Sequence, residues 1–145
     1  KKLLKQVRTK YNKLSLSSLK KLDNDSLERE LSLLDGIGIK SAKCIMMYSF
    51  DREVFPIDTH ALRIIKRMGF VIPKNNIKSI SFAKYIEKQI PSRLRFRFHV
   101  NLIQHGRQIC KSKPLCYKCP VINYCLTGKK YFLKSAATDG GAKKR

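Results

Sequence analysis

The stretch 34-LDGIGIKSAKCIMM-47 decides how this chain is read. Gly36 and Gly38 flank Ile37, and Lys40 follows just ahead of an apolar run. Glycines at this spacing permit a tight backbone turn between two helices. Such a turn aims the first N–H groups of the next helix outward, where they bind a phosphate without reading base sequence. Gly36, Ile37 and Gly38 are therefore candidate DNA contacts, with Lys43 beside them. The plainer reading is an αα-hairpin whose glycines serve the turn alone. Lys40 sharpens the choice. At a helix N-terminus, bordered by apolar residues, an ammonium is disfavoured by the dipole and by desolvation. The neutral amine so favoured is a nucleophile for a sugar or carbonyl carbon. A carboxylate able to take up its proton and to stabilise charge on a sugar ring is available in 54-VFPIDTHALRI-64, as Asp58. Asp58 also fits as the N-cap of the following helix, a role compatible with catalysis.

Outward from this stretch, helical periodicity runs through most of the chain, and the fold class is all-α. Apolar Leu3, Leu4, Val7 and Tyr11 mark a first helix over about 1–14, with a short helix over 14–21. Asp25-Ser26-Leu27-Glu28 has the form of a capping box opening a helix to about Leu34. After the hairpin, a helix is expected over 41–50, then a turn at Asp51-Arg52. Phe55-Pro56 forces an extended entry to a helix over 59–68, which Gly69 closes. Two more helices are expected over 77–89 and 92–109, the last holding His99, Phe96 and Phe98 in a core. Arg93, Arg95 and Arg97 read as a solvated or phosphate-facing stripe, and His60 and His105 as structural. No strand pattern and no internal repeat is found. The expected organisation is 1–69 as the N-terminal helices and hairpin, 70–130 as a helical and metal-loop lobe, and 131–145 as a flexible basic tail.

Charge limits the partners. The chain has 32 Lys and Arg against 10 Asp and Glu, a formal net charge of +22. Such an excess repels itself unless a polyanion relieves it, and neutralised phosphates release counterions. Nucleic acid is the expected partner. No apolar run approaches a membrane span, and no signal-peptide pattern is present, so no membrane role is expected. The chain opens with Lys1 instead of Met and is expected to be a trimmed piece.

Four of the five cysteines fall in 110-CKSKPLCYKCPVINYC-125. The pattern Cys-x5-Cys-x2-Cys-x5-Cys suits a metal, with Cys110, Cys116, Cys119 and Cys125 as ligands. Disulfides are disfavoured because nothing marks secretion, so a reducing intracellular compartment (nucleus, nucleoid or organelle) is expected. Spacing leaves open tetrahedral zinc or a four-cysteine iron–sulfur cluster. Either would staple a loop carrying Lys111, Lys113 and Lys118, suited to a phosphate backbone. Cys44, on the apolar face of the helix after the hairpin, reads as a core residue.

With these residues assembled, the chain resembles the helix-hairpin-helix DNA glycosylases of the endonuclease III type. The likeness rests on 34-LDGIGIKSA-42, on 56-PIDTH-60 eighteen positions from Lys40 to Asp58, on Arg63, and on 104-QHGRQIC-110 leading into the cysteines. It covers about 24–126. It implies a helix-hairpin-helix glycosylase core, as a partial helical barrel, with a C-terminal four-cysteine loop holding a [4Fe-4S] cluster (zinc being the alternative). It implies double-stranded DNA as partner, a flipped-out nucleotide, Lys40 attacking the sugar C1′ to give a Schiff base, and Asp58 assisting base departure. Elimination would then nick the strand, giving a bifunctional glycosylase and AP lyase of base excision repair. Oxidised pyrimidines are the family's usual substrates. The segment 36-GIGIKSAKC-44 is also similar to DEMETER-type glycosylases, which remove 5-methylcytosine. Two departures stand out. The first cysteine interval is x5 where the family usually has x6. The family also has about twice as much chain ahead of the hairpin, so a second segment or chain is expected to complete the barrel. Outside this family the alternatives are a DNA-binding module without catalysis and a zinc-stabilised RNA-binding protein.

Overall fold

A computed structural model describes residues 1–70 and 80–139. The regular structure among these residues is helical, with no strand among them. The α-helices are α1 (Lys2–Tyr11), α2 (Asn24–Ser32), α3 (Ile39–Ser49), α4 (Thr59–Met68), α5 (Ile80–Lys88), α6 (Arg95–Gln108) and α7 (Leu126–Asp139). Short 3-10 turns lie at Ser17–Lys21, Ser92–Leu94, Cys116–Lys118 and Ile122–Tyr124. Among the described residues, no helix is long and apolar enough to cross a membrane.

The chain forms two compact units, Lys1–Pro56 with Lys78–Arg97, and Ile57–Ile77 with Phe98–Arg145. This differs from the division expected at 69/70 and 130/131. The physical reason lies in the tethers. Glu87 on α5 binds Lys43 on α3 and the backbone of Phe55, which draws α5 into the first unit. Arg63 and Arg67 on α4 grip carbonyls in the stretch 106–112, which draws α4 into the second.

In the first unit, α2 and α3 pack through Leu27, Leu31, Ala42 and Met46, all fully buried, and Val7 of α1 closes the cluster. Cys44 is only half-buried at its margin. Helix α2 starts earlier than the capping box implied. Asp23 is the cap, accepting from the N–H groups of Asp25 and Ser26 at 3.0 Å each. An aspartate two residues ahead of Asp25 offers the same chemistry and lets the helix gain two further residues, Asn24 and Asp25. Phe96, expected in the core, is half exposed and meets Tyr48 edge-on at 5.6 Å between ring centroids.

In the second unit, α4 begins at the expected cap, Asp58, whose Oδ1 accepts from Ala61 N at 2.7 Å. It ends at Gly69, whose φ of 98° is the left-handed conformation that glycine adopts freely. Gly106 on α6 lies against His60 so closely that an added Cβ would meet the ring Nδ1 at 2.6 Å. Helix α7 continues through Asp139, into the stretch read as a flexible tail, and half of its residues are the helix formers Lys, Leu and Ala. Residues 140–145 of that stretch, and the start at 77 of the helix expected over 77–89, lie outside the described residues.

Candidate nucleic-acid interface and metal loop

The hairpin forms as its glycines require. Gly36 has φ +80°, and Ile37 N donates to Leu34 O at 3.0 Å to close the turn. Leu34 is buried and Ile37 half-buried against the first unit's core, so the loop is anchored by its apolar residues and presents Gly36 and Gly38 to solvent. Gly38 is the N-cap of α3 and brings no side-chain cap. Helices α2 and α4, by contrast, are each capped by an aspartate. The start of α3 thus keeps its N–H groups for an outside acceptor, as a phosphate site needs.

Lys40 lies in the first turn of α3 with its side chain exposed. Among the described residues Lys40 stays exposed, without the desolvation expected around it, and its neighbours Ile39 and Ser41 are only half-buried. Lys40 belongs to the first unit, and Asp58 to the second. Asp58 is half-buried and holds its cap bond.

Lys43 is not a surface contact. It is 2% exposed, and its Nζ lies 2.7 Å from Glu87 Oε2 and 3.4 Å from Glu28 Oε2. One turn past Lys40, it points into the unit's interior, where an ammonium persists only with carboxylate partners. The arginine stripe is likewise broken. Arg95 donates to the carbonyls of Ile90, Glu87 and Glu53 and serves structure instead of phosphate.

In the second unit, Cys110, Cys116, Cys119 and Cys125 all line one cavity. No three His, Cys, Asp or Glu among the described residues already converge as metal ligands. The donor set is nevertheless the right chemistry: four soft thiols facing one apolar space suit an iron–sulfur cluster or zinc. Burial, then the neighbouring thiols of Cys119, Cys125 and Cys110, push the Cys116 thiol up against the opposing pull of Arg67. His105 Nε2 lies 3.7 Å from Cys119 Sγ, and burial lowers this imidazole from its ordinary range.

Arg67 was not foreseen. Its guanidinium donates to Cys110 Sγ at 3.2 Å, to Ser112 O at 2.7 Å, and to Lys111 O. Arg63, one turn earlier, donates to Cys110 O and Gly106 O, each at 3.0 Å. A guanidinium only donates, so His60 Nδ1, 3.0 Å from Arg63 Nη2, is the acceptor there, consistent with a structural role. The Arg-x3-Arg spacing was the available signal: both side chains fall on one face of α4. Lys111, Lys113 and Lys118 are exposed on the loop so fixed, and Lys118 lies over the exposed ring of Tyr117 at 5.6 Å.

No family model matches the chain. The chain is similar to an endonuclease III of Sulfolobus acidocaldarius, at 37% identity over 131 residues, covering 90% of this chain and 55% of that protein. Among solved structures it is similar to a non-covalent endonuclease III–DNA complex, with a TM-score of 0.70 and 31% identity, over 90% of this chain and 56% of that one. A trapped endonuclease III–DNA covalent intermediate matches alike, with a TM-score of 0.70 and 30% identity, over 90% of this chain and 57% of that one. The chain spans about half the length of the curated relatives it matches.

Proposed function

The chain belongs to the endonuclease III family over the half of a relative's length that it spans, and on that premise we propose that it is the lysine-bearing part of a base excision repair DNA glycosylase with AP lyase activity. The observation that carries this reading is the hairpin: Lys40 stands exposed in the first turn of a helix whose N-terminus has no side-chain cap. Duplex DNA is the assigned partner. The Gly36–Gly38 turn and the start of α3 would take one phosphate, and Lys111, Lys113 and Lys118 would track the backbone beside it.

In the assigned reaction the Lys40 amine attacks C1′ of a flipped-out nucleotide. The N-glycosidic bond breaks, and the base leaves with the bonding pair and takes up a proton. The sugar ring opens to a protonated Schiff base on Lys40. Loss of a C2′ proton then expels the 3′ phosphate by β-elimination. Asp58 is assigned the proton transfers and the stabilisation of charge on the sugar. The substrate class assigned is a modified pyrimidine.

Cys110, Cys116, Cys119 and Cys125 are assigned a [4Fe-4S] cluster, with zinc as the alternative donor-compatible metal. Bound there, the metal would close the loop and hold its lysines in place. A reducing intracellular compartment is assigned, in keeping with four cysteines read as metal ligands instead of disulfides. The exposure of Lys40 supports a further assignment: a second segment or chain covers this face and completes the pocket.

Borohydride trapping tests the reading. Duplexes carrying an abasic site, thymine glycol or 5-methylcytosine are offered to the full-length protein, with Lys40→Gln as control. A covalent adduct that vanishes in the variant is expected, and the duplex that gives it identifies the base. Salt-sensitive binding with no adduct on any duplex would reduce the protein to a binding module.

A further inference from the structure

Glu87 on α5 accepts two hydrogen bonds at one oxygen. Its Oε2 receives Lys43 Nζ at 2.7 Å and the backbone N–H of Phe55 at 2.8 Å. Its Oε1 lies 3.8 Å from Arg95 Nη1, and Arg95 Nη2 also donates to the Glu87 carbonyl at 2.9 Å. All these groups belong to the first unit. One carboxylate therefore ties α3 to the extended segment around Phe55.

The two tethered places matter. Lys43 is one turn past Lys40 on α3, and Phe55 comes three residues before Asp58 along the chain. Apolar packing alone would hold these elements together without desolvating a charge, and often as stably. A buried ammonium and a backbone N–H aimed at the same oxygen add something packing does not. They fix the rotation of α3 about its axis and the slide of the segment past it, because hydrogen bonds are directional. Pro56 follows Phe55 and limits the freedom of the chain between the tether and Asp58.

We propose that Glu87 is a positioning residue for the reaction, setting the presentation of the Lys40 helix and of the segment that leads to Asp58. This rests on the function proposed above. Glu87 touches neither DNA nor the sugar; it acts through Lys43 and Phe55.

The test uses the full-length protein, Glu87→Gln, and the double variant Lys43→Met with Glu87→Gln. The double variant removes the Lys43–Glu87 pair in a volume-matched way, keeps an acceptor for the Phe55 N–H, and leaves the Glu28 carboxylate without its lysine. It carries the test should Glu87→Gln alone fail to fold. Three quantities are read: Tm, duplex Kd, and the single-turnover borohydride-trapping rate on an abasic-site duplex. In the folded double variant the trapping rate falls about tenfold or more, as small misplacements of reacting groups do, while Kd keeps the parent value. A parent-like rate overturns the proposal, and so does a loss shared equally by rate and affinity. If the parent itself gives no Lys40-dependent adduct, the functional reading falls and takes this inference with it. An active parent with unaffected variants removes only the role of Glu87.

Discussion

Lys43 Nζ lies 2.7 Å from Glu87 Oε2, with the lysine side chain 2% exposed. The partner is 44 positions away in sequence, and the second carboxylate, Glu28, stands 3.4 Å away on α2. Lys43 and its two carboxylates join three helices of the first unit. Breaking one side of a buried pair leaves an uncompensated charge and typically costs about 3–5 kcal/mol. Lys43→Met is therefore expected to lower unfolding stability by roughly 3 kcal/mol, allowing for the partial exposure of Glu87. Urea unfolding of parent and variant measures this. A change below about 1 kcal/mol would place the pair with weak surface bridges and contradict its burial.

Asp23 makes stability depend on pH in a way that can be isolated. Hydrogen bonds from Ser26, and then from its own and the Asp25 N–H groups, hold its carboxyl below the ordinary value of 3.8. A carboxylate with a depressed folded-state pKa contributes stability that is present above the unfolded value. That contribution disappears as pH falls through the folded one. Asp23→Ala is therefore expected to lower Tm at neutral pH, and the gap should close as pH falls below 3.8. Thermal melts of both proteins across that range provide the check. A gap of constant size would mean that the cap does not act through its charge.

The hairpin and both ends of α4 were legible because their signals are local. Gly36 needs a positive φ, Asp58 caps its own helix, and Gly69 ends it, each within one turn of chain. Lys43 was misread for the opposite reason. Lysine is seldom buried, so a lysine beside a phosphate-binding turn reads as surface charge. What buries it are carboxylates on other helices, and nothing near Lys43 in sequence announces them. Arg95 shows the same limit: its acceptors are backbone carbonyls, which carry no sequence signal. The two compact units were likewise not legible, because they are drawn by such long-range tethers and not by loop length. Lys40 was found by its place in a motif, but its exposure in this chain was not, since burial depends on what packs over the hairpin.

Gly106 permits a close crossing in the second unit. An added Cβ would meet His60 Nδ1 at 2.6 Å and His60 Cβ at 2.9 Å. The second of these sits against the backbone of α4 and cannot swing away, and Arg63 holds the ring in place. Gly106→Ala would gain helix propensity of about 1 kcal/mol on an open helix face. Here overpacking is expected to win, with a net loss of roughly 1–2 kcal/mol. A more stable variant in chemical denaturation would show that α4 and α6 can separate freely.

The cysteines sort into two classes that metal analysis can separate. Cys110, Cys116, Cys119 and Cys125 line one cavity, while Cys44 sits on α3 in the other unit. Protein purified without oxygen is expected to be brown and to hold iron and acid-labile sulfide in equal amounts. Ser at any of the four loop positions should lower that content, whereas Cys44→Ser should keep it. Colourless protein containing zinc would assign the alternative metal to the same residues. Equal loss from Cys44→Ser would overturn the assignment of ligands.

Lys111, Lys113 and Lys118 are exposed on the loop that Arg63 and Arg67 hold through the Cys110, Lys111 and Ser112 carbonyls. A lysine that neutralises a phosphate contributes about 0.9 to the slope of log K against log salt. Replacing all three by Ala is expected to weaken duplex binding at low salt and to flatten that slope by up to about 2.7. Contacts to the backbone alone predict the same loss for damaged and undamaged duplexes. Arg67→Ala offers a sharper comparison. It removes no exposed lysine but frees the loop, so binding should weaken while the slope changes little. Salt titrations of both variants decide between fixed and floating lysines. An unchanged slope in the triple variant would remove this loop from the DNA-binding surface.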